Sequence, residues 1–346
     1  MSTQSLSTNR LSTQPSSAAL SAIPHAAVND PPAPSRWTAA DMPDQSGRTI
    51  IVTGANSGLG FQTALELARR GAHVVMTARD ETKGRAAKAR IEAERVRGSL
   101  ELRKLDLADL DDVKRFAADI IADGLPVDVL VNNAGVMMPP RSLTRQGYEL
   151  QFGVNHLAHF VLTALLIDRL AQSSAGRVVT VSSDLHKRGK IHFDDLVGAR
   201  NYGRVSFYAQ SKFANVVFAL ELDRRLKAVG LPVRSLLAHP GYSATNLQLS
   251  GPTGILKLFM RFGNRFFAQD VTMGALNQLY AATAPTAASG QFIGPDGRRE
   301  MSGHPSVVQP IDAARAPDLA KRLWQLSEDL TGVSFNLANP EAAHAV

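Results

Sequence analysis

Cysteine is absent from the chain, and this absence excludes disulfide bonds, thiolate catalysis and zinc sites with cysteine ligands. Aromatic residues are also few, at 6% of the 346 residues, whereas hydrophobic residues together reach 44%. A hydrophobic fraction of this size is ordinary for a globular protein that buries a sizeable core. Length alone fits one large α/β domain or two small ones.

A long hydrophobic run is missing as well. The best apolar run, Leu157 to Leu166, lies between His156 and Asp168 and is too short to span a bilayer. The first residues are Ser, Thr, Gln and Asn, without the apolar stretch of a signal peptide. We therefore expect no transmembrane segment and a cytoplasmic location.

Positive charge is in excess but is not concentrated. The formal net charge is +7, yet Lys and Arg alternate with Asp and Glu, for example from Asp80 to Arg97. Such a pattern is typical of a solvated helix face, whereas nucleic-acid binding would favour a clustered basic stripe. We expect no nucleic-acid partner. A DNA-binding protein stays a remote alternative, which strongly salt-dependent binding would revive.

The order of segments predicts the fold class. Residues 1–36 are rich in Ser, Thr, Ala and Pro and predict a disordered tail. Over 37–346 strands alternate with helices, which predicts parallel crossovers in a Rossmann-like, doubly wound sheet of one three-layer α/β/α domain. The predicted strands are Thr49–Thr53, His73–Thr77, Leu100–Asp106, Val127–Val131, Arg177–Ser182 and Val233–Ala238, with Gln291–Ile293 as a candidate seventh strand. The predicted helices include Leu59–Arg70, a charged helix ending near Val96, Asp109–Ala122, Tyr148–Leu170 and Gly203–Val229.

A glycine-rich segment joins the first strand to the first helix. Residues 53–60 read Thr-Gly-Ala-Asn-Ser-Gly-Leu-Gly, with the spacing Gly-x3-Gly-x-Gly. Glycines let the backbone approach a pyrophosphate, and the helix N-terminus supplies free N–H groups. A simple strand-to-helix turn is the alternative. The predicted cofactor contacts here are Gly54, Asn56, Ser57, Gly58, Leu59 and Gly60.

The end of the second strand indicates the type of dinucleotide. An NAD site favours an acidic residue there, but Ala78 occupies the position and Arg79 follows it. A guanidinium can bind a 2′-phosphate through paired hydrogen bonds. Asp80 argues the other way, although its position predicts a helix N-cap. We expect NADP(H) to be favoured over NAD(H), with a plain surface role as the alternative for Arg79.

Further candidate cofactor residues follow the later strands. Polar and small residues at these carboxyl ends can line the adenosine, the nicotinamide and the diphosphate. For Asn133, pure stabilisation of the fold is a substantial alternative. The predicted contacts are Asp106, Leu107, Asn133, Ala134, Gly135, Pro240, Gly241 and Thr245.

Candidate catalytic side chains occur in the second half of the chain. Tyr208 and Lys212 have an i,i+4 spacing, which puts them on one helix face. A nearby ammonium is expected to lower the tyrosine pKa, which is ordinarily about 10. By itself this spacing is common by chance. Ser182 and Ser183 end the fifth strand, where a hydroxyl can orient a carbonyl, and Asn155 is a polar residue inside an apolar helix, able to hold a water.

Together these residues resemble the short-chain dehydrogenase/reductase family over roughly Ser46 to Thr245. The resemblance implies a catalytic tetrad of Asn155, Ser183, Tyr208 and Lys212, with Tyr208 and Lys212 also touching the cofactor. Ser183 is chosen over Ser182 because the family's serine is usually the second of such a pair. The implied reaction interconverts a carbonyl and an alcohol, with Tyr208 as acid/base. A non-catalytic NADP-binding regulator or scaffold on the same fold is the alternative.

An insert before Tyr208 resembles one branch of that family. Ser183 precedes Tyr208 by 25 residues, and residues 184–204 resemble the retinol dehydrogenase, WW-domain oxidoreductase and protochlorophyllide reductase branch. The resemblance implies an apolar small-molecule substrate and a homodimer or homotetramer. Residues 246–270 predict a substrate lid, and their apolar part leaves peripheral membrane contact open. The chain has no Cys, and the histidines have no nearby acidic pair at ligand spacing, so we expect no metal.

Overall fold

A computed structural model describes residues 36–241 and 270–337. Its eight strands form one sheet in the order β3-β2-β1-β4-β5-β6-β7-β8. All neighbours pair in parallel except β7 and β8, which are antiparallel. The strands are β1 (Thr49–Val52), β2 (His73–Ala78), β3 (Ser99–Lys104), β4 (Val129–Asn132), β5 (Arg177–Val181), β6 (Arg234–Ala238), β7 (Phe292–Pro295) and β8 (Pro305–Val308).

Helices cover both faces of the sheet, because side chains of a strand alternate between faces. Ile50 and Val52 of β1 pack on one face of the sheet, against the helices that are numbered α1, α2 and α7 below. Ile51 packs on the opposite face, against α3, α5, α6 and α8. The predicted single-domain, Rossmann-like three-layer fold is confirmed. The helices are α1 (Gly58–Arg69), α2 (Glu81–Ala93), α3 (Leu110–Ala122), α4 (Leu150–Phe152), α5 (Ala158–Ala171), α6 (Arg204–Ala228), α7 (Val271–Thr283) and α8 (Pro317–Thr331).

The observed elements differ from the predicted ones in three ways. Predicted strand ends lie within two residues of the observed ends. The single helix predicted over Tyr148–Leu170 is interrupted, because Gly153–Leu157 between α4 and α5 is a π-helix. The sequence interpretation also gave no expectation for β8, α7 or α8.

The segment Leu150–Ala171 is also the one helical stretch, among the described residues, that is long and apolar enough to cross a membrane. The fold buries 89% of its 18-residue window. Its apolar side chains therefore pack against the sheet and α6, as in the core helix of an α/β domain.

The crevice for a ligand follows from the strand order. The chain leaves β1 toward β2 on one side, whereas β4 lies on the other side of β1. At such a reversal the loops after the two strands separate and open a crevice at their carboxyl ends. The loops after β1 and β4 therefore face each other there.

Some predicted features lie outside the described residues. They comprise the tail 1–36 apart from Arg36, the candidate contact Thr245, and the lid 246–270 apart from Asp270. Pro32–Val346 forms one compact unit by itself.

Candidate active site

The glycine loop packs too closely for side chains at two positions. Gly54 has a φ of +66°, and a Cβ there would lie 2.9 Å from the Ala134 Cβ. A Cβ on Gly60 would lie 2.4 Å from the Gly54 carbonyl oxygen and 2.5 Å from Asn133 Nδ2. The loop after β1 and the start of α1 thus form a narrow backbone cradle, in which Ser57 is the N-cap of α1 without a side-chain cap bond. A cradle of bare N–H groups at a helix N-terminus fits a dinucleotide phosphate.

Thr53 joins the two loops of the crevice, a role that the sequence interpretation missed. Its fully buried hydroxyl oxygen accepts hydrogen bonds from the backbone N–H groups of Asn133 and Ala134, each at 2.9 Å. The Asn133 side chain donates to the Thr53 carbonyl oxygen at 2.7 Å and accepts from Gln278 at 3.3 Å. These contacts give Asn133 the fold-stabilising role that the sequence left open. A threonine at the end of a buried strand was the available signal.

Arg79 directly follows β2 and is exposed. It makes no hydrogen bond or ion pair within the described residues, so its guanidinium is not committed to another part of them. Asp80 is the N-cap of α2, as predicted, and its side chain accepts from the Lys83 backbone N–H at 3.1 Å. The Gly54 N–H lies 3.4 Å from the Thr77 hydroxyl, so the glycine loop runs along the end of β2.

The segment after β3 carries the next predicted contacts. Asp106 is half-buried, and its Oδ1 accepts from the Ala108 N–H at 2.9 Å. Leu107 is buried and packs in the core beside α3. The structure thus places both residues at the carboxyl edge of the sheet, with Asp106 the more accessible of the two.

Tyr208 and Lys212 are both buried on one face of α6. Lys212 Nζ lies 5.9 Å from the centroid of the Tyr208 ring and donates to the Val181 carbonyl oxygen at 3.0 Å. Burial raises the pKa of Tyr208 to about 12, and a hydrogen bond from Ser183 opposes this rise. Burial also lowers the pKa of Lys212 to about 8. The net shift of the Tyr208 pKa is therefore upward and not downward as expected, because burial desolvates the phenolate.

The two serines after β5 have different partners. The Ser182 hydroxyl is buried and donates to the Lys212 carbonyl oxygen at 2.8 Å. The Ser183 hydroxyl accepts from the Leu185 N–H at 3.3 Å, and Ser183 is the serine whose side chain lowers the pKa of Tyr208. Ser182 therefore anchors α6 to the sheet, whereas Ser183 is the serine beside the tyrosine.

Asn155 lies in the π-helical segment and reaches the loop after β4. Its Oδ1 accepts from the Val136 N–H at 2.8 Å, and its Nδ2 donates to the Val136 carbonyl oxygen at 3.0 Å and to the Ser211 hydroxyl at 2.9 Å. A Cβ on Gly135 would lie 3.1 Å from Asn155 Oδ1 and 3.6 Å from Lys212 Nζ. The structure thus brings Asn155 and Lys212 to one point and fixes the loop between them.

Pro240 and Gly241 follow β6 directly. Gly241 has a φ of +65°, and a Cβ there would lie 2.5 Å from the Met301 carbonyl oxygen. Its N–H donates to Nδ1 of the buried His239 at 3.2 Å. The left-handed conformation and this close contact require glycine at the turn.

An apolar cluster surrounds Tyr208, and it was not identified from the sequence. Met137 and Met138 are buried against the tyrosine, with Leu185 partly buried beside them. The Met138 N–H donates to Gln151 Oε1 at 2.8 Å, which holds this segment in place. The side chain of the candidate catalytic tyrosine therefore has apolar neighbours.

Two buried histidines lie under the site. His159 bridges the Thr53 hydroxyl at 3.0 Å and the Asn155 carbonyl oxygen at 3.1 Å, and His156 contacts the Ser327 hydroxyl at 3.0 Å. Burial lowers the pKa of His156 to about 3 and that of His159 to about 4. Both are neutral packing groups at pH 7. In residues 36–241 and 270–337 no three His, Asp or Glu side chains gather as a metal site would require.

Known proteins share these features along most of the chain. A family model described as short chain dehydrogenase matches residues 48–252. Retinol dehydrogenase 13 from Homo sapiens is 41% identical over 293 residues, which cover 83% of this chain and 85% of that protein.

Solved structures agree with the family match. An uncharacterised protein from Mycobacterium Paratuberculosis superposes with a TM-score of 0.69 at 44% identity, covering 86% of this chain and 98% of that one. A structure described as an NAD(P) dependent gluconate 5-dehydrogenase from Beutenbergia cavernae has NADP bound at low occupancy. Its TM-score is 0.58 at 28% identity, and the match covers 72% of this chain and 96% of that chain.

Proposed function

The chain belongs to the short-chain dehydrogenase family as an NAD(P)-dependent oxidoreductase acting on alcohol or carbonyl groups, and we propose a finer assignment within it. The protein interconverts an apolar carbonyl compound and its alcohol with NADP(H), and Tyr208 is the acid/base. One observation carries this proposal: the buried Tyr208 has Ser183 as its neighbour and Lys212 Nζ at 5.9 Å from its ring centroid, on the same helix face. The relatives are dehydrogenases by name, so a non-catalytic regulator is not favoured.

The residues of the site divide the reaction between them. A bound nicotinamide supplies or accepts the hydride. Ser183 holds the substrate oxygen by a hydrogen bond, and Tyr208 donates a proton to that oxygen as negative charge develops on it. Lys212 contributes positive charge near the phenol, which favours loss of its proton. Asn155 keeps the loop after β4 against Lys212.

The preference for NADP(H) rests on Arg79 and its surroundings. Arg79 is exposed beside the glycine loop, and the only acidic neighbour in sequence, Asp80, is engaged as a helix cap. A guanidinium in this position suits a 2′-phosphate, with two parallel hydrogen bonds. NADP in the structure from Beutenbergia cavernae supports the same choice.

An apolar substrate is supported by the cluster next to the tyrosine. Met137, Met138 and Leu185 form an apolar cluster with the Tyr208 side chain. Flexible thioether side chains adapt to irregular apolar ligands. The similarity to a retinol dehydrogenase points toward the same class of substrate. An assembly of two or four chains is part of this proposal.

Replacement of the tyrosine tests the assignment. We expect Tyr208→Phe to lose at least about a hundredfold in kcat with NADPH and a panel of long-chain aldehydes and retinaldehydes, because general acid catalysis contributes that much or more. NADPH binding, measured by fluorescence, stays within about twofold. Tyr280→Phe is the matched control, since its hydroxyl contacts only Thr286 within the described residues, away from the site. A Tyr208→Phe enzyme with the parent kcat would refute the assignment.

A further inference from the structure

His239 connects the turn after β6 to a distant carboxylate. The ring is fully buried, and its Nδ1 accepts from the Gly241 N–H at 3.2 Å. The proton therefore lies on Nε2, which donates to Glu300 Oε2 at 3.0 Å. Gly294 makes room for this ring, because a Cβ there would lie 2.3 Å from His239 Nε2. The conformation of the Gly241 turn thus depends on a carboxylate 59 residues along the chain from it.

The same carboxylate oxygen has a second partner. Lys187 Nζ donates to Glu300 Oε2 at 3.0 Å and also pairs with Asp184 Oδ1 at 2.7 Å. Both residues belong to the 3-10 segment Asp184–Arg188, for which Ser183 is the N-cap. His186 of this segment donates from Nδ1 to the Ser183 carbonyl oxygen at 2.7 Å. Through Lys187, Glu300 is therefore connected to the segment that Ser183 caps.

The loop around Glu300 is held in an unfavourable backbone conformation. Arg299 and Glu300 have φ values of 55° and 56°, in the left-handed region that other residues than glycine rarely adopt. Asp296 closes the loop, since its Oδ1 accepts from the His304 N–H at 2.8 Å. Such conformations persist where the surrounding contacts enforce them. The hydrogen bond from His239 and the one from Lys187 keep the pKa of Glu300 low, at about 2, so it stays a carboxylate.

From these contacts we propose that Glu300 is a positioning residue that fixes the Ser183 segment relative to the Gly241 turn. The inference rests on the proposed function, because Ser183 holds the substrate oxygen in that proposal and Gly241 is a predicted cofactor contact. Glu300 touches neither substrate nor cofactor. It acts through His239 on one side and through Lys187 on the other, and so sets the distance between the two reacting partners.

Two variants separate the contact of Glu300 with Lys187 from its contact with His239. Lys187→Met removes only the contact of Glu300 with the Ser183 segment, and this ion pair is partly exposed to solvent. We expect it to lower kcat about threefold without a change in the NADPH dissociation constant. Glu300→Ala removes the contacts with both Lys187 and His239. We expect about a tenfold loss in kcat together with about tenfold weaker NADPH binding. The double variant should resemble Glu300→Ala, because the two residues act through one contact.

The matched control is Arg298→Ala in the same loop. The Arg298 side chain is exposed and makes no hydrogen bond or ion pair in the part of the chain that the structure describes, so kcat and NADPH binding should match the parent. Should Glu300→Ala fail to fold, Glu300→Gln replaces it. The amide oxygen of Gln can still accept from His239, and we expect near-parent NADPH binding with the smaller loss in kcat seen for Lys187→Met.

Hydrogen exchange gives a readout that needs neither turnover nor cofactor. The Gly241 amide donates to His239, so Glu300→Ala should speed its exchange about tenfold, whereas Lys187→Met should not. If the parent turns over no carbonyl, the proposed function fails, and Gly241 exchange with NADPH affinity still decides the positioning role. A Glu300→Ala protein that only melts earlier, with parent kcat, NADPH affinity and Gly241 exchange, would overturn the inference.

Discussion

Burial governs the acid strength of the candidate catalytic residues. Tyr208 has a raised pKa of about 12, and Lys212 has a lowered pKa of about 8, because the fold removes both side chains from water. The phenol is therefore protonated throughout the neutral range. The pH sensitivity of carbonyl reduction is expected to come from the charge on Lys212, which is lost as the pH rises through about 8.

The pH profile of reduction follows from this lysine. We expect kcat/KM with NADPH to be level below pH 7.5 or so and to fall by about tenfold per unit well above pH 8, since kcat/KM reports groups of the free enzyme. Lys212→Arg should move this fall to higher pH, because a guanidinium keeps its charge. Lys190→Arg, on an exposed residue of the insert, is the control. A profile that stays level to pH 10 in the parent would contradict the role of Lys212.

In the proposed function, the preference for NADP(H) depends on one side chain, that of Arg79. We expect Arg79→Ala to raise the KM for NADPH by about tenfold or more and to leave the KM for NADH nearly unchanged, because a charged paired contact to phosphate is lost. Arg85→Ala removes a similar charge from the exposed face of α2 and serves as the control. Equal weakening of both cofactors in Arg79→Ala would show that Arg79 is not the 2′-phosphate ligand.

At the scale of elements, the contact between α1 and the loop after β4 shapes the cofactor cradle. Gly60 lies against Gly54 and Asn133 without room for a methyl group. The π-helical segment Gly153–Leu157 acts in the same way on the other side, where it brings Asn155 to Val136. The glycine contact brings backbone segments closer than a larger side chain would allow. The π-helical segment brings Asn155 to a position that ordinary α-helix geometry would not allow.

A methyl group at Gly60 tests the cradle. Gly60→Ala must push α1 away from the glycine loop, and overpacking of this kind costs about 1–3 kcal/mol of unfolding free energy. We expect a lower melting temperature and NADPH binding weakened by about tenfold or more, as measured by calorimetry. Gln62→Ala, which removes a surface contact to Glu66 on the same helix, should leave binding unchanged. Parent-like NADPH binding in Gly60→Ala would argue against a cofactor at this loop.

At the scale of the whole molecule, the core beneath the sheet contains groups that must stay uncharged. His156 packs among Phe152, Phe160 and Phe218 and is fully buried, as is His159. Burial lowers the pKa of each below its ordinary value of 6.5, to about 3 and about 4. Between pH 6.5 and pH 4 the unfolded chain therefore binds more protons than the folded one, and acid favours unfolding.

Acid should therefore weaken the fold before carboxylates protonate. We expect the free energy of unfolding in urea to fall between pH 7 and pH 5 by on the order of 2 kcal/mol for each buried histidine. His156→Met should flatten this dependence, and Ser327 keeps a partner there because it also donates to the Leu323 carbonyl oxygen. His73→Gln, on a surface histidine that contacts Ser99, is the control. An equally steep dependence in His156→Met would count against this explanation.

Much of the fold could be predicted because parallel strands buried on both faces give continuous apolar runs between helical segments. Five of the strands have such runs, whereas β3 at the edge of the sheet alternates apolar and polar residues. The short edge strand β8 gives no such signal, since it has four residues, begins with proline and is defined by its pairing with β7. The π-helix also has no local signature, because it depends on the contacts of Asn155 across the crevice.

The sequence by itself determined the family resemblance, the glycine loop and the order of the candidate catalytic residues, because these depend on residue type and spacing along one chain. Only the tertiary structure distinguished Ser183 from Ser182 by their partners, assigned Asn133 its contacts with Thr53 and Gln278, and reversed the expected shift in the Tyr208 pKa. The link from Glu300 to Lys187 and His239 is of the same kind. Desolvation and hydrogen bonding between segments far apart in sequence depend on packing, which spacing alone does not report.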